Sequence, residues 1–114
     1  MGGGSGTRES QFRKGALELA ILALLERGEL YGVEIVDRLA SVPGLAASSG
    51  TVYPLLSRLK NSELVLTAWR ESPSGPPRKY YRLSAAGRDD LMTMSSSWRS
   101  MVKALDGLLE EESR

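Results

Sequence analysis

Cysteine and histidine are both absent from the 114 residues. Without thiols there is neither a disulfide framework nor a thiolate metal site. Without imidazole the commonest metal ligand and the usual general base are missing as well. There is no phosphate-binding glycine loop, and Asp89 and Asp90 are neighbours on one helix that do not face each other as an acid/base pair. We therefore expect no catalytic residues, no metal and no other cofactor. No apolar run approaches the roughly 18 residues that cross a bilayer, and the start Met-Gly-Gly-Gly-Ser-Gly lacks the basic and apolar regions of a signal peptide. Gly6 stands where an N-myristoylation signal wants Ser or Thr. A cytoplasmic protein without a membrane partner is the expectation, and the length allows one domain with a modest core.

A large charge of one sign is also lacking, since the formal net charge is +1. The distribution carries more information than the total. Between residues 41 and 83 six basic side chains (Arg58, Lys60, Arg70, Arg78, Lys79, Arg82) face two acidic ones (Glu63, Glu71), while the segments on either side are net acidic. A local positive footprint of this kind suits docking of phosphates, although an ordinary solvated patch has the same composition.

The most informative segment lies inside that footprint. In Ser49-Gly-Thr-Val-Tyr-Pro-Leu-Leu-Ser-Arg-Leu-Lys60, a helical wheel of about 100° per residue puts Val52, Leu55, Leu56 and Leu59 on one stripe. Gly50, Tyr53, Pro54, Ser57 and Arg58 fall opposite, with Thr51 at the margin. A face kept only for solubility would carry Glu and Lys. Hydroxyls, a phenol, a guanidinium and a side-chain-free glycine suit close approach to a phosphate backbone and to base edges, so this segment reads as a DNA-recognition helix. Ser48 or Ser49 is expected to cap it through a hydroxyl. Pro54 removes a hydrogen bond to the Gly50 carbonyl; it either shapes the exposed face or is a tolerated early-helix proline.

Periodicity places a first helix over about Glu9 to Arg27, with Leu17, Ile21, Leu24 and Leu25 toward a core. Leu19, Ala20, Leu22 and Ala23 make much of its remaining surface apolar, more than a small monomer can cover. A shorter helix spans about Tyr31 to Ala40 and ends before Pro43-Gly44. After the recognition helix, Leu64 to Glu71 and Arg78 to Leu83 read as two strands joined by Ser72-Pro-Ser-Gly-Pro-Pro77, a tip that can project but cannot join a ladder. Arg78 and Lys79 on this wing are placed to meet phosphate or a minor groove, whereas Tyr81 alternates with Leu83 and anchors the ribbon. Ser84 caps a long final helix on which Leu91, Met94, Trp98, Met101, Leu105 and Leu108 recur every three or four residues.

The fold class that follows is mainly α with a small β-hairpin: a winged helix-turn-helix with a long C-terminal dimerisation helix. The expected division is a flexible tail over residues 1–8, the DNA-binding unit over 9–83 and the dimerisation helix over 84–114. In a two-fold dimer the final helix, with Leu91, Met94, Trp98, Met101, Leu105 and Leu108, packs on its mate and on Leu19 and Leu22 of the partner's first helix. Two recognition helices about 34 Å apart would then read a near-palindrome in double-stranded DNA. The expected DNA contacts are Tyr31, Ser48, Ser49, Gly50, Thr51, Tyr53, Pro54, Ser57, Arg58, Arg78 and Lys79.

Over about residues 14 to 110 the chain resembles the PadR-like regulators, named for control of phenolic acid decarboxylase, and among them the short subtype with one C-terminal helix. The resemblance rests on Gly15, Ile21-Leu-Ala-Leu-Leu25, Tyr31-Gly32, Ser49-Gly-Thr-Val-Tyr-Pro-Leu-Leu56 with Leu59, Trp69, Gly75-Pro-Pro-Arg-Lys-Tyr-Tyr-Arg-Leu83 and Ala86-Gly87. It implies a dimeric transcriptional repressor whose helix bearing Tyr53 enters the major groove and whose wing bears Arg78 and Lys79. It also implies that a small aromatic or cationic effector can bind near the dimer interface, where Trp98 offers a stacking surface and Met94 and Met101 adaptable walls; interface packing is the competing role for these three. Two positions depart from the family pattern: glycine is usual near Glu63, and threonine is commoner than Ser84. Glu63 or Asn61 must then take the left-handed turn that ends the recognition helix. A winged-helix dimer whose Tyr53 face binds a polypeptide remains the alternative function.

Overall fold

The computed structural model describes residues 7–112, which fold as α1 (Arg8–Glu26), β1 (Leu30–Tyr31), α2 (Gly32–Ala40), α3 (Ser49–Asn61), β2 (Val65–Arg70), β3 (Arg78–Leu83) and α4 (Ala85–Glu112). Of the tail expected over 1–8, residues 1–6 lie outside the described residues. Thr7 and Arg8 belong to the first helix instead: the Thr7 hydroxyl accepts from the Ser10 N–H at 2.9 Å and caps α1.

The apolar stripes read from the sequence converge on one core. Leu17, Ile21, Leu22 and Leu25 of α1, Ile35 and Leu39 of α2 and the Val52, Leu55, Leu56, Leu59 stripe of α3 meet Val65, Tyr81 and Leu83 of the sheet and Leu91 of α4. This corrects two expected interface residues. Leu22 and Leu91 are 2% and 6% exposed within the protomer, because α1 runs through the middle of the domain and the start of α4 lies across it. They have no surface left to offer a partner. Leu19 is half-buried against the same core.

The sheet has three strands in the order β1-β3-β2, all antiparallel, where the sequence pattern gave two. The third, β1, is two residues long, too short for any alternation to reveal it. It forms because Leu30 and Tyr31 lie along the free edge of β3 and pair with Tyr81 and Tyr80, covering an edge that would otherwise stand open.

Helix α3 ends as a Schellman turn. The Leu64 N–H bonds the Leu59 carbonyl at 3.0 Å and the Glu63 N–H bonds that of Lys60 at 2.9 Å. Glu63 takes the left-handed conformation at φ 62°, and Asn61 stays in the helix. A Cβ there costs about 1–2 kcal/mol, against which glycine's larger unfolded-state entropy counts for less than about 1 kcal/mol. Glu63→Gly is therefore expected to stabilise the protein by about 0.5–1 kcal/mol, read as a rise in the thermal midpoint of a few degrees; a fall would mean that the glutamate side chain holds the turn.

From that turn the chain builds the seat of α4. The Ser84 hydroxyl donates to the Glu63 carbonyl at 2.7 Å and accepts from the Gly87 N–H at 2.9 Å, capping α4. Further along, every residue from 99 to 110 is exposed, including Met101, Leu105, Leu108 and Leu109. The second half of α4 thus extends beyond the core, and the molecule is elongated, with a longest extent of 58 Å.

Candidate nucleic-acid interface

The two faces of α3 separate as its sequence requires. Gly50, Tyr53, Pro54, Ser57 and Arg58 are exposed, Thr51 is half-buried, and the four apolar residues opposite are inside. Ser48 occupies the N-cap position, but its hydroxyl makes no capping bond; the helix starts from its carbonyl, which accepts from both Thr51 and Val52 at 3.0 Å. The expected hydroxyl cap is therefore not made. Ser48, Ser49 and Gly50 are exposed at the positive end of the helix dipole, an arrangement suited to an anionic acceptor.

Tyr53 lies close over Gly32 at the start of α2. A Cβ added to Gly32 would come within 2.6 Å of the Tyr53 ring and hydroxyl, so only glycine lets the phenol lie across the start of α2. This is the physical content of the Tyr31-Gly32 pair. Burial raises the Tyr81 phenol above its ordinary value of 10.0, and Tyr53 adds a smaller electrostatic contribution. Tyr81 is thus a neutral, buried anchor, as alternation along its strand suggests.

The cations are less free than the sequence implies. The Arg58 Nε lies 3.3 Å from Glu18 Oε2 on α1, an ion pair by distance but without the alignment of a hydrogen bond. Because the Arg58 side chain is 70% exposed, water screens the pair and an incoming phosphate can replace the carboxylate. Arg78 sits 4.5 Å above the Tyr31 ring, which meets Tyr80 edge-on at 5.4 Å. Its guanidinium is thereby oriented by stacking. Arg70 reaches both Tyr80 and, at 2.8 Å, Glu29. Lys79 points the other way, toward Tyr81 and the cleft between wing and α3.

That cleft, of about 710 Å³, is lined by Tyr53 and Ser57 on one side and Trp69, Lys79 and the wing tip on the other, with Tyr31 at its floor. The structure therefore brings together Tyr31, Tyr53, Ser57, Arg78 and Lys79. Gly50, Thr51, Pro54 and Arg58 border a second groove of about 740 Å³ between α3 and α1, alongside Arg13 and Lys14. Arg13 donates to the Ala46 carbonyl at 2.6 Å and braces the turn before α3. Sequence reasoning assigned no site role to the basic pair on α1 or to Trp69. Trp69 could have been found from its alternation with Val65 and Thr67, which aims it at the α3 side; Arg13 and Lys14 carry no local signal, since only folding lays α1 beside α3.

The remaining expected sites lie on α4. Met94 and Met101 are exposed, and Trp98 is half-buried against Phe12 of α1, ring centroids 6.5 Å apart. Leu105 and Leu108 are exposed on the same helix.

A recognition helix with a small polar outer face, a three-stranded wing and a cationic cleft between them define a winged-helix DNA-binding protein. The transcriptional regulator PadR-like family matches residues 21–93, and the chain belongs to that family. A transcriptional regulator of Mycobacterium tuberculosis, Rv3488, is 35% identical over 78 residues, 68% of this chain and 71% of its own. Among solved structures, a PadR-like transcription factor from Bacteroides fragilis superposes with a TM-score of 0.75 at 40% identity, covering 88% of this chain and 96% of that one. A PadR-like transcriptional regulator from Bacillus cereus gives 0.77 at 33% identity over 87% and 96%. The protein is thus a DNA-binding transcriptional regulator and not an enzyme. No helix among the described residues is long and apolar enough to cross a membrane.

Proposed function

We propose that two copies of this chain form a cytoplasmic repressor that binds a near-palindromic operator and is released by a small aromatic or cationic effector. The observation that carries the DNA contact is the outer face of α3 beside a wing that presents Lys79 and Arg78, with no carboxylate lining the cleft between them. Ser48, Ser49, Gly50, Thr51, Tyr53, Pro54, Ser57 and Arg58 approach the major groove, and Tyr31, Arg78 and Lys79 the flanking backbone. Dimerisation is supported by the exposed Met94 and by Met101, Leu105 and Leu108 on the free half of α4, an apolar stripe that the protomer itself leaves in water. Trp98 lies on the same helix, and the half-buried Leu19 of α1 is assigned to the same interface. The effector reading is supported by the Trp98 indole, with Met94 and Met101 one turn away on either side.

Fluorescence anisotropy of a duplex from the gene's own upstream region, at two salt concentrations and against unrelated competitor, tests the assignment. Arg58→Ala and Lys79→Ala are each expected to weaken binding several-fold and to flatten the salt slope by about one unit per lost phosphate contact. Unchanged affinity in both variants would displace the DNA face from α3 and the wing. The exposed aromatics Tyr53 and Trp69 favour a second reading, a polypeptide partner on the same face; such an interface would respond weakly to salt.

A further inference from the structure

The largest side chain in the cleft between α3 and the wing has no use within the fold. Trp69 is 68% exposed, although its strand position puts it on the sheet face that buries Val65. An indole left in water forfeits the burial that a large aromatic side chain ordinarily gains. Directly across the ladder stands Lys79. Tyr53 and Ser57 form the facing wall, Pro76 and Pro77 the outer rim, and none of the side chains lining the cleft is acidic. The indole is therefore framed by cations, hydroxyls and rigid proline, with Val33 the one aliphatic side chain in the lining. That frame, cationic and rich in hydroxyls with no acidic group, is complementary to a phosphodiester.

With a recognition helix in the major groove and a wing at the adjoining minor groove, the sugar-phosphate strand that separates the two grooves has to pass between α3 and the wing. We infer that Trp69 packs its indole against a deoxyribose of that strand, while Lys79 and the hydroxyls of Tyr53 and Ser57 meet the neighbouring phosphate. The inference rests on the DNA-binding assignment above and adds to it the residue that fixes register along the duplex. The C–H face of a deoxyribose is apolar and the same at every nucleotide, so this contact positions the protein without reading sequence.

The test uses the full chain labelled with 5-fluorotryptophan. Its two tryptophans give two fluorine resonances, and Trp69→Phe identifies the one that belongs to the wing. On addition of either the upstream duplex or an unrelated duplex at low salt, the Trp69 resonance is expected to shift and to lose its relaxation by a soluble gadolinium chelate. Trp69→Ala is expected to weaken both duplexes by the same factor, about five- to tenfold, with Trp69→Phe retaining part of the loss. A bound duplex that leaves the Trp69 resonance as accessible as in the free protein overturns the contact while the DNA assignment stands. A loss confined to the upstream duplex makes Trp69 a base reader and likewise overturns it. If neither duplex binds at low salt, the DNA assignment and the contact fall together.

Discussion

Gly87→Ala is expected to destabilise the fold by about 3 kcal/mol, although alanine is the better helix former by roughly 1 kcal/mol. The sign is decided by what lies beside the residue. A Cβ at Gly87 would fall inside contact distance of the Leu64 carbonyl oxygen and reach within 3.1 Å of Leu83 Cδ2. The carbonyl is backbone and cannot swing aside as a side chain can. Relief requires the first turn of α4 to lift away, which breaks the bonds from Ser84 to the Glu63 and Leu64 carbonyls, 2.7 and 3.1 Å long, and withdraws Leu91 from the core. Overpacking of about 1–3 kcal/mol and lost hydrogen bonds of about 1 kcal/mol each outweigh the propensity gain. Urea denaturation should show a lower midpoint with an unchanged slope. An unchanged midpoint would mean that α4 is free to slide on the turn after α3.

Placing two aspartates on the free half of α4, Met101→Asp with Leu105→Asp, is expected to yield a monomer in sedimentation and to weaken operator binding by about a hundredfold or more. Both residues are more than half exposed in the protomer, so the fold of residues 7–98 gains no buried charge. In the proposed dimer the same positions face a partner, and a carboxylate there is desolvated without a counter-ion. The loss in DNA affinity comes from geometry: one recognition helix binds as one site, whereas two on a rigid frame raise the effective concentration of the second. Binding to a half-site duplex should change little. Retained dimerisation in this variant would move the interface to another face.

The stripe Val52, Leu55, Leu56, Leu59 was legible because helical periodicity is a local property, and its burial follows from spacing alone. The strand Arg78–Leu83 was legible for the same reason, being bounded by a run of proline and glycine that cannot enter a ladder. The chemistry of the exposed face of α3 could likewise be read in order along the chain. Leu22 and Leu91 were misplaced because periodicity tells which residues share a side but not how many sides are covered. On α1 both apolar sides near Leu22 are occupied within the protomer, by the helices and sheet of its own core.

What the sequence determined by itself is therefore the set of elements, their inward faces and the polar outer face of α3, since each depends on neighbours within a turn or two. Tertiary structure alone decided the rest: the third strand, the Arg58–Glu18 pair, Arg78 stacked on Tyr31, the glycine at position 32 under Tyr53, and the glycine at 87 against Leu64. Each of these joins groups from different elements. Their approach is set by how the helices and sheet pack around one core, and no periodicity along the chain encodes a distance across it.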